Sequence, residues 1–205
     1  NTFSFNECPR DCCTSFKRIK FEIINNMLHR VFVSYHHAND QYYKNLFDNL
    51  FSNIYDIMVS KSVQIGDIDS NLPTERIRQK IRDEYLRDST VTVVLIGSET
   101  WKRKHVDWEI GSSIRQTEYS SRSGLLGIVL PTYPRKDLTK YDPYTIPPRL
   151  YDNVKSNFAQ IYNWNDNSFV VQKWIHDAFE RRNKIIPDNS FPSFMNNRSG
   201  ERWQK

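Results

Sequence analysis

The chain has 205 residues, 38% hydrophobic and 26% charged. That is room for one domain with an appendage, and for a core that needs neither disulfides nor a metal to hold it. A (β/α)8 barrel, at about 250 residues, is disfavoured. No apolar run approaches the ~20 residues that span a bilayer, and mean hydropathy is −0.70, so a soluble protein is expected. Against 24 Asp and Glu stand 29 Lys and Arg, a net charge of +5 with a pI near 9.1. The basic residues are scattered, which disfavours nucleic acid as a partner and suits a solvated surface.

Two absences narrow the chemistry. The 6 glycines form neither G-x-G-x-x-G nor G-x-x-x-x-G-K-[ST], so a Rossmann fingerprint and a P-loop are excluded. The 3 cysteines, Cys8, Cys12 and Cys13, sit together near the start. An odd count with an adjacent pair is a poor disulfide framework, which suits a reducing, cytoplasmic setting. Zinc would need further partners, and no metal site is expected.

In chain order, residues 1–26 read as an N-terminal extension. Phe16, Ile19, Ile23, Ile24 and Met27 fall roughly on one face at helical spacing, so a short helix over Ser15 to Asn25 is expected. No secretory signal pattern is present. Residues 27–182 read as the main domain. Arg30–Tyr35 is a β-branched and aromatic strand. Tyr43, Leu46, Phe47, Leu50 and Ile54 mark an amphipathic helix, with Asn39 or Asp40 as its cap. Asp56–Val59 is a weak second strand, followed by a polar loop from Gln64 to Asn71. Pro73 suits the first turn of a second helix whose narrow apolar stripe is Ile77, Ile81 and Tyr85. Its Arg76, Arg78, Lys80, Arg82 and Arg87 read as solvated.

Val91–Ile96 is the strongest strand, a continuous apolar run suited to a central parallel strand buried on both faces. A helix over His105 to Tyr119 follows, with Val106, Ile110 and Ile114 spaced by four. Leu125–Leu130 is strand four. Residues 131–150 carry five prolines and read as an irregular loop. Phe158–Tyr162 is strand five, and Val170 to Phe179 a last helix. Residues 183–205 are polar, without period, and read as a tail. Five strands alternating with helices predict an open five-stranded parallel sheet covered on both faces, a three-layer α/β/α architecture.

In such sheets ligands bind beyond the carboxyl ends of the strands, where strand order switches. Ser34–Asp40, Gln64–Asn71 and Gly97–Glu109 would converge there. Glu109 lies three residues from Val106, about 60° off the apolar stripe, and a carboxylate at that margin can line a cleft; the plain alternative is a surface glutamate. His36 and His37 follow the first strand and are equally readable as loop residues. A Ser34, His36 and Asp69 triad has no G-x-S-x-G elbow to support it.

Three segments carry a family resemblance. Arg30-Val-Phe-Val-Ser-Tyr-His36 resembles the opening strand of Toll/interleukin-1 receptor (TIR) domains, especially the bacterial TIR-like group of the Thoeris anti-phage protein ThsB. Ser89–Thr100 resembles that group's third strand and following turn, and His105-Val-Asp-Trp-Glu-Ile110 its W-[CV]-x-x-E-[IL] signature. The likeness covers roughly His29 to Arg182. His105 departs from it, standing where the signature commonly has Trp.

The resemblance implies a flavodoxin-like fold and a catalytic Glu109 in a domain that cleaves NAD+ as substrate, not as a cofactor. Glu109 would grip the nicotinamide ribose hydroxyls and stabilise positive charge at the anomeric carbon. Phe32, Ser34, Tyr35, His36, Asp69 and Arg103 would line the substrate. Asp67 would share the loop that holds Asp69. ADP-ribose or a cyclic isomer would signal to a separate effector protein, with self-association on activation. A non-catalytic adaptor that works by self-association, and a nucleotide-binding module with other chemistry, remain alternatives.

Overall fold

The computed structural model describes residues 29–51, 57–59, 72–118 and 120–203. The expected N-terminal helix, Asp67, Asp69 and the loop that carries them lie outside the described residues.

Among the described residues four full strands form a parallel sheet: β1 (His29–Ser34), β3 (Val91–Ile96), β4 (Gly124–Val129) and β5 (Ala159–Asn163). A three-residue segment, β2 (Ile57–Val59), runs parallel to β1 at the edge. The order is β2-β1-β3-β4-β5. The expectation of five strands is thus corrected to four full ones. The second run holds only three consecutive apolar residues, and it makes only three register pairs, from His29↔Ile57 to Val31↔Val59. β1 and β3 pair from Val31↔Val91 to Ser34↔Val94, which sets Ser34 beside the middle of the central strand.

Among the described residues five α-helices cover the sheet: α1 (His37–Phe51), α2 (Thr74–Lys80), α3 (Lys104–Ser113), α4 (Pro148–Lys155) and α5 (Ser168–Lys184). No helix among the described residues is long and apolar enough to cross a membrane. The strands alternate as their period of two requires. Val31, Val33, Val93, Leu95, Leu126 and Ile128 pack on one face against Phe47 and Phe51 of α1 and Val171, Ile175 and Ala178 of α5. Val94, Ile96, Leu125 and Val129 pack on the other against Val106, Ile110 and Leu150. A Cβ on Gly124 would overlap the Ala178 carbonyl, so glycine lets α5 lie close on β4.

Several expectations are corrected. α3 stops at Ser113, not Tyr119: the Ser113 carbonyl accepts from Ser123 N at 2.8 Å and Arg82 Nη1 at 3.4 Å, which satisfies the helix end. The proline-rich stretch is not irregular throughout. Pro148 starts α4, where a missing N–H costs nothing. Asp40 does not cap α1; it is buried and accepts from Thr100 Oγ1 at 3.2 Å and Thr132 Oγ1 at 3.3 Å. Arg82 is buried rather than solvated, within a π-helical turn (Ile81–Tyr85) that continues α2.

The segment after α5 is packed, not trailing. Phe191, Phe194 and Trp203 bury against Trp101. Arg198 N donates to the Lys102 carbonyl at 2.7 Å, and Trp203 N to the Tyr144 carbonyl at 3.0 Å.

Gly97 ends β3 where the Asp40 carboxylate crosses, and a Cβ there would overlap that carboxylate. Gly97→Ala is expected to cost about 1–3 kcal/mol, as overpacking does, read as a lowered urea midpoint at unchanged slope.

Candidate active site

The switch in connection lies between β1 and β3. β1 leads into α1 on one face, and β3 leads into α3 on the other. The crevice between their carboxyl ends is where such sheets take ligands.

Phe32 and Ser34 point to the α3 side of β1. Phe32 packs with Ile77, Ile81, Leu86 and Trp108. Two residues on, Ser34 Oγ donates to Glu109 Oε2 at 2.5 Å. The α3 stripe of Val106 and Ile110 lies on the sheet, and Glu109 leans from its margin toward β1 rather than toward solvent. It is 1% exposed, and its Oε1 has no hydrogen-bond partner. Burial pushes its pKa up to about 8, against which the Ser34 hydroxyl works. Two of the expected residues thus meet as a buried serine–glutamate pair.

Three histidines adjoin the pair in sequence, His36 and His37 after Ser34 and His105 before Glu109. His105 lies one turn before Glu109 on α3, and its Nε2 is 3.1 Å from the Tyr35 carbonyl. The His37 ring is 5.0 Å from that of His105 and 4.5 Å from that of Tyr35. His36 is buried with Nδ1 unpaired. Burial holds His36 down to about pKa 4, helped by Arg103 and His105. Burial also lowers His105 to about 4, against its bond to the Tyr35 carbonyl. Both are neutral at pH 7.

The remaining expected residues divide. The Tyr35 side chain faces the opposite layer, in the α1 core, and its hydroxyl donates to Gln41 Oε1 at 2.6 Å. Arg103 Nη2 donates to Glu99 Oε2 at 2.7 Å, and Lys102 Nζ to Glu99 Oε1 at 3.0 Å. Phe32 is a buried wall. Asp69 lies outside the described residues. Glu99 was not singled out from the sequence, His37 was read as a loop residue, and His105 was noted only as a departure from the family signature. The i, i+4 spacing of His105 and Glu109 was the signal that places both on one helix face. Among the described residues no group of three or more His, Cys, Asp and Glu is set to hold a metal.

The family model for the TIR-like domain of the Thoeris protein ThsB matches residues 32–135, 104 of the 205 residues. The match includes Ser34, His36, Arg103 and Glu109. No curated protein matches the chain.

Proposed function

The chain belongs to the TIR-like domain family of the Thoeris protein ThsB, with a TIR-domain signalling role in anti-phage defence, and from that premise we propose that it cleaves NAD+ at the nicotinamide–ribose bond. The observation that carries the reading is the buried Ser34–Glu109 pair at the β1–β3 switch. The strand order is that of flavodoxin-like sheets, and we assign the domain to that class.

Glu109 takes the ribose hydroxyls in place of Ser34, and its carboxylate stabilises the positive charge that develops at the anomeric carbon. Nicotinamide leaves with the electron pair of the broken bond. Water then gives ADP-ribose, or a hydroxyl or nitrogen of the same ligand gives a cyclic product. His36 and His105, neutral, offer hydrogen bonds without repelling the cationic nicotinamide ring, and Arg103 exchanges Glu99 for a phosphate. The product acts on a separate effector, in the cytoplasm, and the enzyme assembles as a homo-oligomer when activated.

A carboxyl that titrates near 8 must lose its proton before it can stabilise a cation. kcat/KM for NAD+ is therefore expected to rise with pH through about 8 and then level, since kcat/KM reports the free enzyme. A profile already flat from pH 6 would contradict this assignment of Glu109.

One observation favours the second reading, a non-catalytic adaptor: Glu109 is 1% exposed, closed off from solvent. The two separate by following nicotinamide release across a concentration series while sedimentation reports assembly. Turnover that rises with assembly supports the enzyme. Assembly without turnover supports the adaptor.

A further inference from the structure

A cavity of about 440 Å³ opens on the outer side of α2 and α3, lined among others by Arg76, Arg78, Arg82, Arg115, Glu75 and Asp83. Ser112, one turn past Glu109 on α3, reaches its edge, whereas Ser34, His36 and Glu109 do not line it. It is a place distinct from the candidate active site.

Four guanidinium groups against two carboxylates leave this cleft with a net charge of +2. Arg82 is its floor. It is 4% exposed, and its terminal nitrogens reach only neutral oxygens: the carbonyls of Ser113 and Ser121 and the Ser120 hydroxyl at 2.7 Å. Its Nε is buried without a partner. A buried cation held by neutral acceptors alone is incompletely compensated. Burial accordingly lowers the Arg82 pKa, opposed only by Asp83.

At the rim, Arg78 Nη1 lies 3.1 Å from Glu75 Oε1 and 3.1 Å from Ser193 Oγ. Arg115 Nη1 lies 3.5 Å from Glu75 Oε2. Glu75 is 69% exposed. One exposed carboxylate thus bridges two arginines, the position a tetrahedral dianion would take with better geometry, since guanidinium forks match phosphate oxygens.

We propose that this cleft binds a phosphate group, free or carried by a small nucleotide, between Arg78, Arg82 and Arg115, with Glu75 displaced on binding. The ligand completes the charge balance of Arg82 and ties the π-helical turn to the end of α3.

The test is calorimetric titration of the full chain at constant ionic strength with inorganic phosphate, ADP and adenosine. Arg82→Gln removes a buried group and risks the fold, so the variants are the rim pair Arg78→Gln and Arg115→Gln, together, and Glu75→Gln alone. Phosphate or ADP is expected to bind and adenosine not. The double variant is expected to weaken binding about tenfold or more, as loss of charge-assisted bonds does. Glu75→Gln is expected to tighten it. Glu109→Gln is expected to leave it unchanged. Equal affinity for phosphate and ADP would identify free phosphate as the ligand, and tighter ADP a nucleotide. Binding of neither anion, binding that survives the double variant, or ADP binding that is lost in Glu109→Gln would overturn the proposal.

Discussion

Glu109→Gln is expected to abolish turnover and, at alkaline pH, to yield a more stable protein. The isosteric amide keeps the shape of the side chain and its bond from Ser34 but carries no titratable group. Loss of the carboxylate that meets the developing cation is expected to slow NAD+ cleavage by about 10²–10³-fold or more. The stability effect follows from linkage. The Glu109 carboxyl titrates at 4.5 in the unfolded chain and near 8 when folded. Between those values the folded state holds a proton that the unfolded state has released, so wild-type stability is fully present below about pH 4.5 and is lost as pH rises through 8. The variant lacks this slope. Its advantage therefore grows from nothing near pH 4.5 toward an upper bound of about 5 kcal/mol above the folded pKa. Urea midpoints at acid and alkaline pH measure it directly. Parallel pH dependences in the two proteins would mean that Glu109 keeps its unfolded pKa in the folded state.

Arg149→Ala is expected to cost about 3–5 kcal/mol, as removal of one partner from a buried ion pair does. Arg149 and Asp107 are 1% and 2% exposed, with Nε 2.9 Å from Oδ1. The pair also holds the C-terminal segment. Arg149 Nη1 donates to Asn189 Oδ1 at 2.6 Å and Nη2 to the Phe191 carbonyl at 2.7 Å. Asp107 Oδ2 accepts from Phe194 N at 3.0 Å, and Trp108 Nε1 donates to the Phe194 carbonyl at 2.9 Å. The substitution leaves the Asp107 carboxylate buried without its cation and frees the segment that braces α3 beside Glu109. A fall in urea midpoint together with faster proteolysis after residue 185 is the expected result. Retained stability would show that the segment's aromatic contacts, not the ion pair, hold it.

What was legible in the sequence follows the physics of repetition. β1, β3 and β4 are apolar runs flanked by breakers, and a buried parallel strand has no other way to be written. α1 and the beginning of α3 show the helical period. Glu109 was placed at the margin of a buried face by its offset from Val106, and Ser34 by its place at the end of β1; their meeting needed the register of β1 on β3. The unreadable parts are those where partners come from far along the chain. Arg82 is buried because carbonyls and hydroxyls from residues 113–121 converge on it. Arg149 is buried because Asp107 and residues 189–191 do. No local pattern distinguishes either from a solvated arginine. Phe191, Phe194 and Trp203 share no helical or strand period, since each fills its own place around Trp101. Pro147 and Pro148 read as breakers, yet the second is the first residue of α4.

The central claim is that Glu109 is the group on which NAD+ cleavage depends. The most direct measurement incubates the full chain with NAD+ at pH 8, at concentrations where it has assembled, beside Glu109→Gln. Chromatography and mass spectrometry then follow nicotinamide and the ADP-ribosyl product in equal amounts. The account predicts both products from the wild-type chain and neither above background from a folded Glu109→Gln. Equal yields from the two proteins, or none from the assembled wild-type chain, would contradict it.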